Sequence, residues 1–460
     1  MATPAVASPT PHASYRSLSS VVLVEEGRTK TLSDGTASQS DEPLSAVETL
    51  AIPLSLPREI AFLVVVCAGQ LLTQASLAQG IAPAHIINDS LGGTGTAAEI
   101  SWYSASYSLT TGTFILVAGR LGDAFGHKRL VMAGFAWFAL WSVLAGCSQY
   151  THSSVFFNIC RALQGIGPAV VLPNGQALLG HFYPPGKRKD MAFALFGAVA
   201  PIGFLIGALF SSLFAEKATW SWSFFCLGLV CCLLVVLAAF AIPSQLTEAD
   251  HEVKHQFDYW GSLLGVAGLV LCNIAWNQAP SEGWGEPYVI CLFVLGLLAL
   301  VGFVFVERRA LEPLVPLDCL KTETVFVLAT VGAGWASFGV WLLYLWQFLE
   351  VDQTYWAQTF LSTLIMPWAM DMSFPAGTVM VSNAMPKKHQ GLGASLVNTV
   401  VNYSISIGLG VAGTAEYYTL QHGSDTLHGY RSAWYVGVGF AVLGISIALL
   451  AIRREIRRQS

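Results

Sequence analysis

Charge is what this sequence has least of: Asp, Glu, Lys and Arg make up 11% of its 460 residues, against about 25% in an ordinary soluble domain. That deficit excludes a chain solvated by water over most of its surface. None of its nine cysteines forms the CxxC spacing of a zinc or redox site, and nearly all fall in apolar runs, where a thiol packs as a small hydrophobe. No Gly-x-x-x-x-Gly-Lys-Ser/Thr sequence occurs, which argues against drive by ATP. The chain has no basic start followed by an apolar core, so no secretory signal peptide is read. A net charge of −5 with a basic end from Arg453 to Arg458 does not suggest nucleic acid, because arginines after a last apolar run are usually topological anchors.

Apolar length is abundant. Hydrophobic residues make up 54% of the chain, and uncharged stretches of roughly 20 residues, enough to cross a bilayer, recur from Arg58 onward. Twelve spans are read, at 59–81, 99–118, 130–147, 154–182, 190–214, 222–242, 259–278, 288–306, 324–350, 353–383, 391–413 and 432–452. In lipid only helices and closed barrels satisfy every backbone group, and no ten-residue alternation supports a barrel. The expected fold class is therefore an all-α polytopic membrane protein. Positive residues gather in alternate connections: Arg120, Lys128 and Arg129; Lys187, Arg188 and Lys189; Arg308, Arg309 and Lys321; Lys387 and Lys388. The intervening connections carry only Lys217 and Arg431. Retention of positive charge on the cytoplasmic side puts both termini inside and makes the span count even. Residues 1–57, rich in Ser, Thr, Ala and Pro, read as a disordered cytoplasmic tail.

The connection between the second and third spans is "GRLGDAFGHKRL", Gly119 to Leu130. It reads as a tight turn in which Gly119, Gly122 and Gly126 allow close backbone approach, Asp123 sits near a helix end, and Lys128 and Arg129 pair with acids. An anchoring loop needs the positive charges but not this ordered set. The pattern resembles the signature of the major facilitator superfamily, Gly-x-Leu-x-Asp-x-x-Gly-x-basic-basic. "RALQGIGPAVVLPNG" from Arg161 is similar to that family's fourth-helix motif. "GAVAPIGFLIG", with Gly197, Pro201, Gly203 and Gly207, is similar to the helix-kinking fifth-helix motif of its drug:proton antiporter branch. "FDYWGSLLGVAGLVL" and "ERRALEPLVPLDCL" resemble the start of a two-helix insert and the lead-in to a second half. The whole resembles the fourteen-span subfamily and its fungal aminotriazole-resistance and low-affinity ammonium transporter-like members. Two departures stand out. Gln70, Gln74 and Gln79 occupy a first helix where drug exporters commonly carry an aspartate, and Ala124 and His127 replace positions that are often arginine.

Two charges fall inside spans. Arg161 interrupts an otherwise uncharged run; it either faces the interior or snorkels to the interface. Asp371 lies in mid-span between Pro367 and Pro375, where an ionised carboxylate in lipid costs at least about 2.5 to 3.5 kcal/mol. It is read as a transport or coupling carboxylate, or as a structural hydrogen-bonding group. The resemblance assigns Arg161 to proton coupling or substrate contact. Gln70, Gln74, Gln164, Asn174, Asn398 and Asn402, with Ser395 and Ser406, are candidates to line a cavity or to join helices. Trp102 and Tyr103 read as interfacial aromatics. "HEVKH", His251 to His255, matches a zinc-protease pattern without a third ligand; no metal site, cofactor or enzyme activity is expected.

The family resemblance implies a two-bundle architecture of about 12 transmembrane helices: a tail at 1–57, a six-helix bundle at 58–242, a link with a two-helix insert at 243–323, a second bundle at 324–452 and a basic tail at 453–460. It implies a secondary active transporter in the plasma membrane, or alternatively the vacuolar membrane. Such a protein, acting as a monomer, would export small toxic solutes in exchange for protons; the alternative is a low-affinity facilitator of ammonium or borate. The second bundle reads as incomplete. After the insert only four spans remain, and at "LEVDQTYW" one apolar run passes into another with no Gly or Pro to turn the chain. Val351 and Asp352 are expected to flank a missing hairpin of roughly 60 residues, about two spans with loops, which would make this chain a transport-impaired isoform.

Overall fold

The computed structural model describes residues 55–93, 95, 97–184, 186–243, 258–310, 313–315, 321–349, 365, 372–381, 390–421 and 425–459. Asp371, the Glu350–Gln353 junction, Lys387, Lys388, the HEVKH stretch and residues 1–54 lie outside these.

Every regular element among the described residues is helical. In chain order they are α1 (Leu56–Gln79), α2 (Ala84–Leu91), α3 (Ala97–Phe125), α4 (His127–Cys147), α5 (Ser154–Phe182), α6 (Lys187–Lys217), α7 (Ser221–Ala241), α8 (Tyr259–Glu282), α9 (Pro287–Glu307), α10 (Thr322–Leu349), α11 (Met372–Val381), α12 (Gln390–Gln421) and α13 (Thr426–Gln459). Ten of them are long and apolar enough to cross a membrane. Eleven of the twelve spans read from the sequence coincide with described helices, and the other, 353–383, is described only at Ile365 and in α11.

Local signals explain the ends. Pro57 opens α1 and Pro287 opens α9, at positions where a missing N–H costs nothing. Ser153 caps α5 by accepting from the Phe156 amide, and Asp258 caps α8 by accepting from Gly261. Between α3 and α4 the chain reverses at Gly126, whose φ of 92° is accessible to glycine at little cost. α2 was not visible in the hydropathy pattern: it is eight residues long and packs Ile87 and Leu91 against the Tyr103–Phe157–Phe224 cluster.

α3 is not among the ten apolar spans although its 29 residues reach about 43 Å. Protein surrounds it: it packs on α5, α12 and α8. Ser104, Ser106, Ser108, Thr110, Thr111 and Thr113 are all buried. Thr110 donates to the Ala162 carbonyl at 2.5 Å and Thr111 to the Gly165 carbonyl at 3.1 Å. A helix with no lipid-facing side does not need an apolar one. The opposite case is α9 and α13, of whose most apolar stretches only 11% is buried.

α1 and α3 to α7 pack on one another through the pairs α3–α5, α4–α5, α1–α6 and α4–α7. α8 and α9 form a hairpin, and α10, α12 and α13 form a second group. α12 joins the groups, touching both α3 and α8. A Cβ at Gly112 would stand 2.9 Å from Asn402 Cβ, and one at Gly119 would stand 3.3 Å from Ser395 Oγ, so α3 and α12 approach closely from Gly112 to Gly119. α8 meets α12 farther along, where Gly410 lies against Trp276 and Gly413 against Pro280.

Candidate functional site

The deepest charged group is Arg161, 0% exposed. Its Nε donates to the Tyr103 carbonyl at 2.9 Å, one terminal nitrogen to Ser76 Oγ at 3.0 Å and Gln164 Oε1 at 2.5 Å, and the other to the Ser76 carbonyl at 2.9 Å. The guanidinium lies 4.5 Å from the Tyr107 ring centroid, within cation–π range. Arg161 therefore does not snorkel; it ties α5 to the last turn of α1 and the first turns of α3, buried within the first group. No carboxylate within ion-pair distance neutralises it among the described residues. Gly80 makes room for it, since a Cβ there would fall 2.9 Å from the guanidinium. Tyr103, expected at an interface, is 0% exposed and donates to Asn88 Oδ1 at 3.0 Å; its neighbours are α2 and α5, which hydropathy does not reveal.

Two of the proposed lining residues are already occupied. Gln164 accepts from Arg161 and donates to Ser142 Oγ at 2.8 Å. Asn174 donates to the Ala118 and Val170 carbonyls at 3.1 and 2.7 Å. Gln70 is buried, and its Oε1 has no hydrogen-bond partner among the described residues; Gln74 is partly exposed. Asn398 is buried and Asn402 partly so, with Asn402 donating to the Asn398 carbonyl at 2.9 Å.

The α3–α4 turn gathers most of its motif. Asp123 lies 4.0 Å from Arg120 and 3.6 Å from His127. Arg120 donates to the Pro313 carbonyl at 2.5 Å, which reaches the link between α9 and α10. Lys128 pairs with no acid among the described residues. It donates to the Ala239 and Ile242 carbonyls at 3.0 and 2.6 Å, capping α7 where unpaired carbonyls favour a cation. Arg129 is exposed. Beside the turn, Tyr183 donates to Glu59 at 2.9 Å and Arg188 stands 3.5 Å from the same carboxylate. Burial, with the Glu59 carboxylate alongside, pushes the Tyr183 phenol up.

The kink motif serves one crossing. A Cβ at Gly203 would collide with the Leu71 carbonyl oxygen, and one at Gly207 would collide with Ala75 Cα, so the bare backbone of α6 lies on α1. Pro201 sits inside α6, and Gly197 faces Pro375 of α11 at 3.9 Å.

Two groups escape the sequence reading. Glu416 is 4% exposed and accepts from the Tyr344 hydroxyl at 2.7 Å, joining α12 to α10. A span ending at 413 leaves this acid in a loop; extending the helix one turn through "AEYY" brings it inside. Asn273 and Asn277 of α8 form a buried network with Ser406 of α12 through bonds of 2.8 to 3.0 Å.

Against known proteins, the family model described as Major Facilitator Superfamily matches residues 64–307, more than half of the chain. The chain belongs to this family. The low affinity ammonium transporter of Saccharomyces cerevisiae is 46% identical over 86% of this chain and 89% of its own length. The efflux pump terJ of Aspergillus terreus is 40% identical over 88% of this chain and 90% of its own. A peptide transporter POT crystal structure in complex with sulfate shares the fold, with a TM-score of 0.59 at 13% identity over 85% of this chain and 94% of that one. This facilitator-superfamily protein is a multi-pass membrane transporter of small solutes, and its relatives and structural neighbours are transporters and not enzymes. The alignment to the ammonium transporter is 459 residues long yet uses 86% of this chain, which is about 395 of 460 residues. About 60 aligned positions therefore have no residue in this chain.

Proposed function

We propose that this protein works by alternating access, exporting small toxic solutes in exchange for protons, with Arg161 and Asp371 as the intramembrane charges of the cycle. The observation that carries the reading is Arg161: a fully buried cation held by neutral acceptors and an aromatic face. A buried charge with no opposite charge beside it among the described residues marks a pathway more readily than a packing role. The efflux pump among the relatives supports export. Aspartate on α1 is replaced by Gln70 and Gln74, and with the ammonium-transporter relative this favours a second reading, low-affinity facilitated passage of a small polar solute such as ammonium or borate.

Cells lacking and overexpressing the protein decide between the two. Aminotriazole efflux and labelled methylammonium uptake are measured with the proton gradient intact and collapsed. Efflux that stops when the gradient collapses supports exchange; uptake that follows the solute gradient alone supports facilitation.

The proposed organisation is a six-helix bundle at 58–242, an insert within 243–323 and a second bundle at 324–452 that lacks two spans near Val351 and Asp352. The protein is taken to act as a monomer in the plasma membrane, with both termini in the cytoplasm. The alignment positions without a counterpart number about what a hairpin of two spans needs, and the family match ends at residue 307, before the second bundle. Sequencing the transcript across the Glu350 to Gln353 codons tests the deletion, and robust transport by the 460-residue product would refute the impairment it implies.

A further inference from the structure

The ring of His127, 3% exposed, lies between two oxygens. Its Nδ1 is 2.7 Å from Asn174 Oδ1, and its Nε2 is 3.6 Å from Asp123 Oδ1. The orientation of the Asn174 amide is set independently, because its nitrogen donates to the Ala118 and Val170 carbonyls. Its oxygen faces the ring purely as an acceptor, so Nδ1 carries a hydrogen. A neutral imidazole then has only a lone pair left at Nε2, aimed at a carboxylate. The imidazolium has a donor for each oxygen. Gly122 keeps the space clear: a Cβ there would collide with both His127 Nδ1 and Asn174 Oδ1.

We propose that His127 is a proton-binding residue of the α3–α4 gate, that this arrangement holds its imidazolium, and that loss of the proton releases the turn. The consequence reaches beyond the turn through contiguous contacts. His127 shares Asp123 with Arg120, and Arg120 holds the Pro313 carbonyl of the link leading to α10. α3 brings Arg120 and Asp123 toward the ring; α5 brings Asn174 and His181, whose ring centroid is 5.5 Å away. Lys128, next in the chain, is turned to the α7 carbonyls with Arg58 of α1 nearby. The described end of α7 adds carbonyls and no acid. An arginine at this position would hold its charge at every physiological pH; a histidine holds it only when protonated. Low pH therefore favours this arrangement, and its protection is lost as rising pH removes the proton from the ring. The inference concerns the turn and does not depend on exchange or facilitation as the transport mode.

The test uses the full chain in lipid nanodiscs, with no substrate. Hydrogen–deuterium exchange of peptides covering 119–130 and 390–400 is followed from about pH 5.5 to 8, corrected for intrinsic exchange. The expected wild-type result is a several-fold loss of protection from the acid to the basic end of the range, following a single-proton step. His127→Arg should stay protected across the range and His127→Gln should stay unprotected, a divergence that a packing role would not produce. Asp123→Asn, which leaves the ring in place, should abolish the step. A wild-type profile flat over this range overturns the proposal whatever the variants do, as does an unchanged step in folded His127→Gln.

Discussion

At the residue scale the membrane sorts polar groups by whether they find partners. Arg161 has four hydrogen bonds and a ring face, so it is tolerated where an isolated charge would not be. Arg161→Ala should destabilise the protein by roughly 3 kcal/mol, since the buried acceptors lose a charged donor. Arg161→Lys should fold better yet transport poorly, because an ammonium cannot reproduce the planar fork; thermal unfolding beside transport assays separates the two effects. Glu416 offers a sharper contrast. Glu416→Gln keeps an oxygen for Tyr344 and should change stability by less than about 1 kcal/mol, while Tyr344→Phe leaves the buried carboxylate without its donor and should cost about 1 to 3 kcal/mol. If Glu416 takes part in proton movement, Glu416→Gln alone flattens the pH profile of transport. Asp371→Asn should likewise abolish pH-dependent transport with the protein still folded at the membrane; normal transport over a range of pH would make Asp371 structural.

At the scale of elements, the glycines of α6 do unequal work. Gly203→Ala and Gly207→Ala place a methyl inside the backbone of α1, and each should cost about 1 to 3 kcal/mol through forced separation of the helices. Gly197→Ala meets only Pro375 at ordinary contact distance and should stay within about 0.5 kcal/mol. Melting temperatures of the three variants check the order. The α8–α12 network should be modest by comparison. A double-mutant cycle on Asn277→Ala and Ser406→Ala should return a coupling of about 0.6 to 1.7 kcal/mol, the range of polar contacts between membrane helices. That network seats the α8–α9 hairpin on α12, the helix that also packs on α3.

For the whole molecule, the proposed alternating access depends on contacts between the two groups of helices, and α12 packs on α3 from Gly112 to Gly119. If the second bundle lacks two spans, as proposed, a chain with the corresponding spans of a relative inserted should transport at least about tenfold faster than the 460-residue form at equal membrane abundance. Equal rates would show that the shorter bundle suffices.

The sequence by itself determined the medium, the helical class and most of the spans, because scarce charge and repeated apolar length admit few other solutions in lipid. It also disclosed the turn motif and a charge inside a span at Arg161, since both are written as local patterns, but left open whether that charge faces the interior. Only the tertiary structure decided who those residues touch. Nothing in the sequence says that the Gln164 amide nitrogen is spent on Ser142 or the Asn174 oxygen on His127, because both partners stand on α4 and not on α5. α3 is read as a span at 99–118 because it carries no charge beyond Glu99 there, but that its serines and threonines are buried against α5, α8 and α12 shows only in the packing, and Glu416 became a membrane residue only once α12 was seen to run on to Gln421. Hydropathy records what a residue costs in lipid; whether it meets lipid at all is settled by packing.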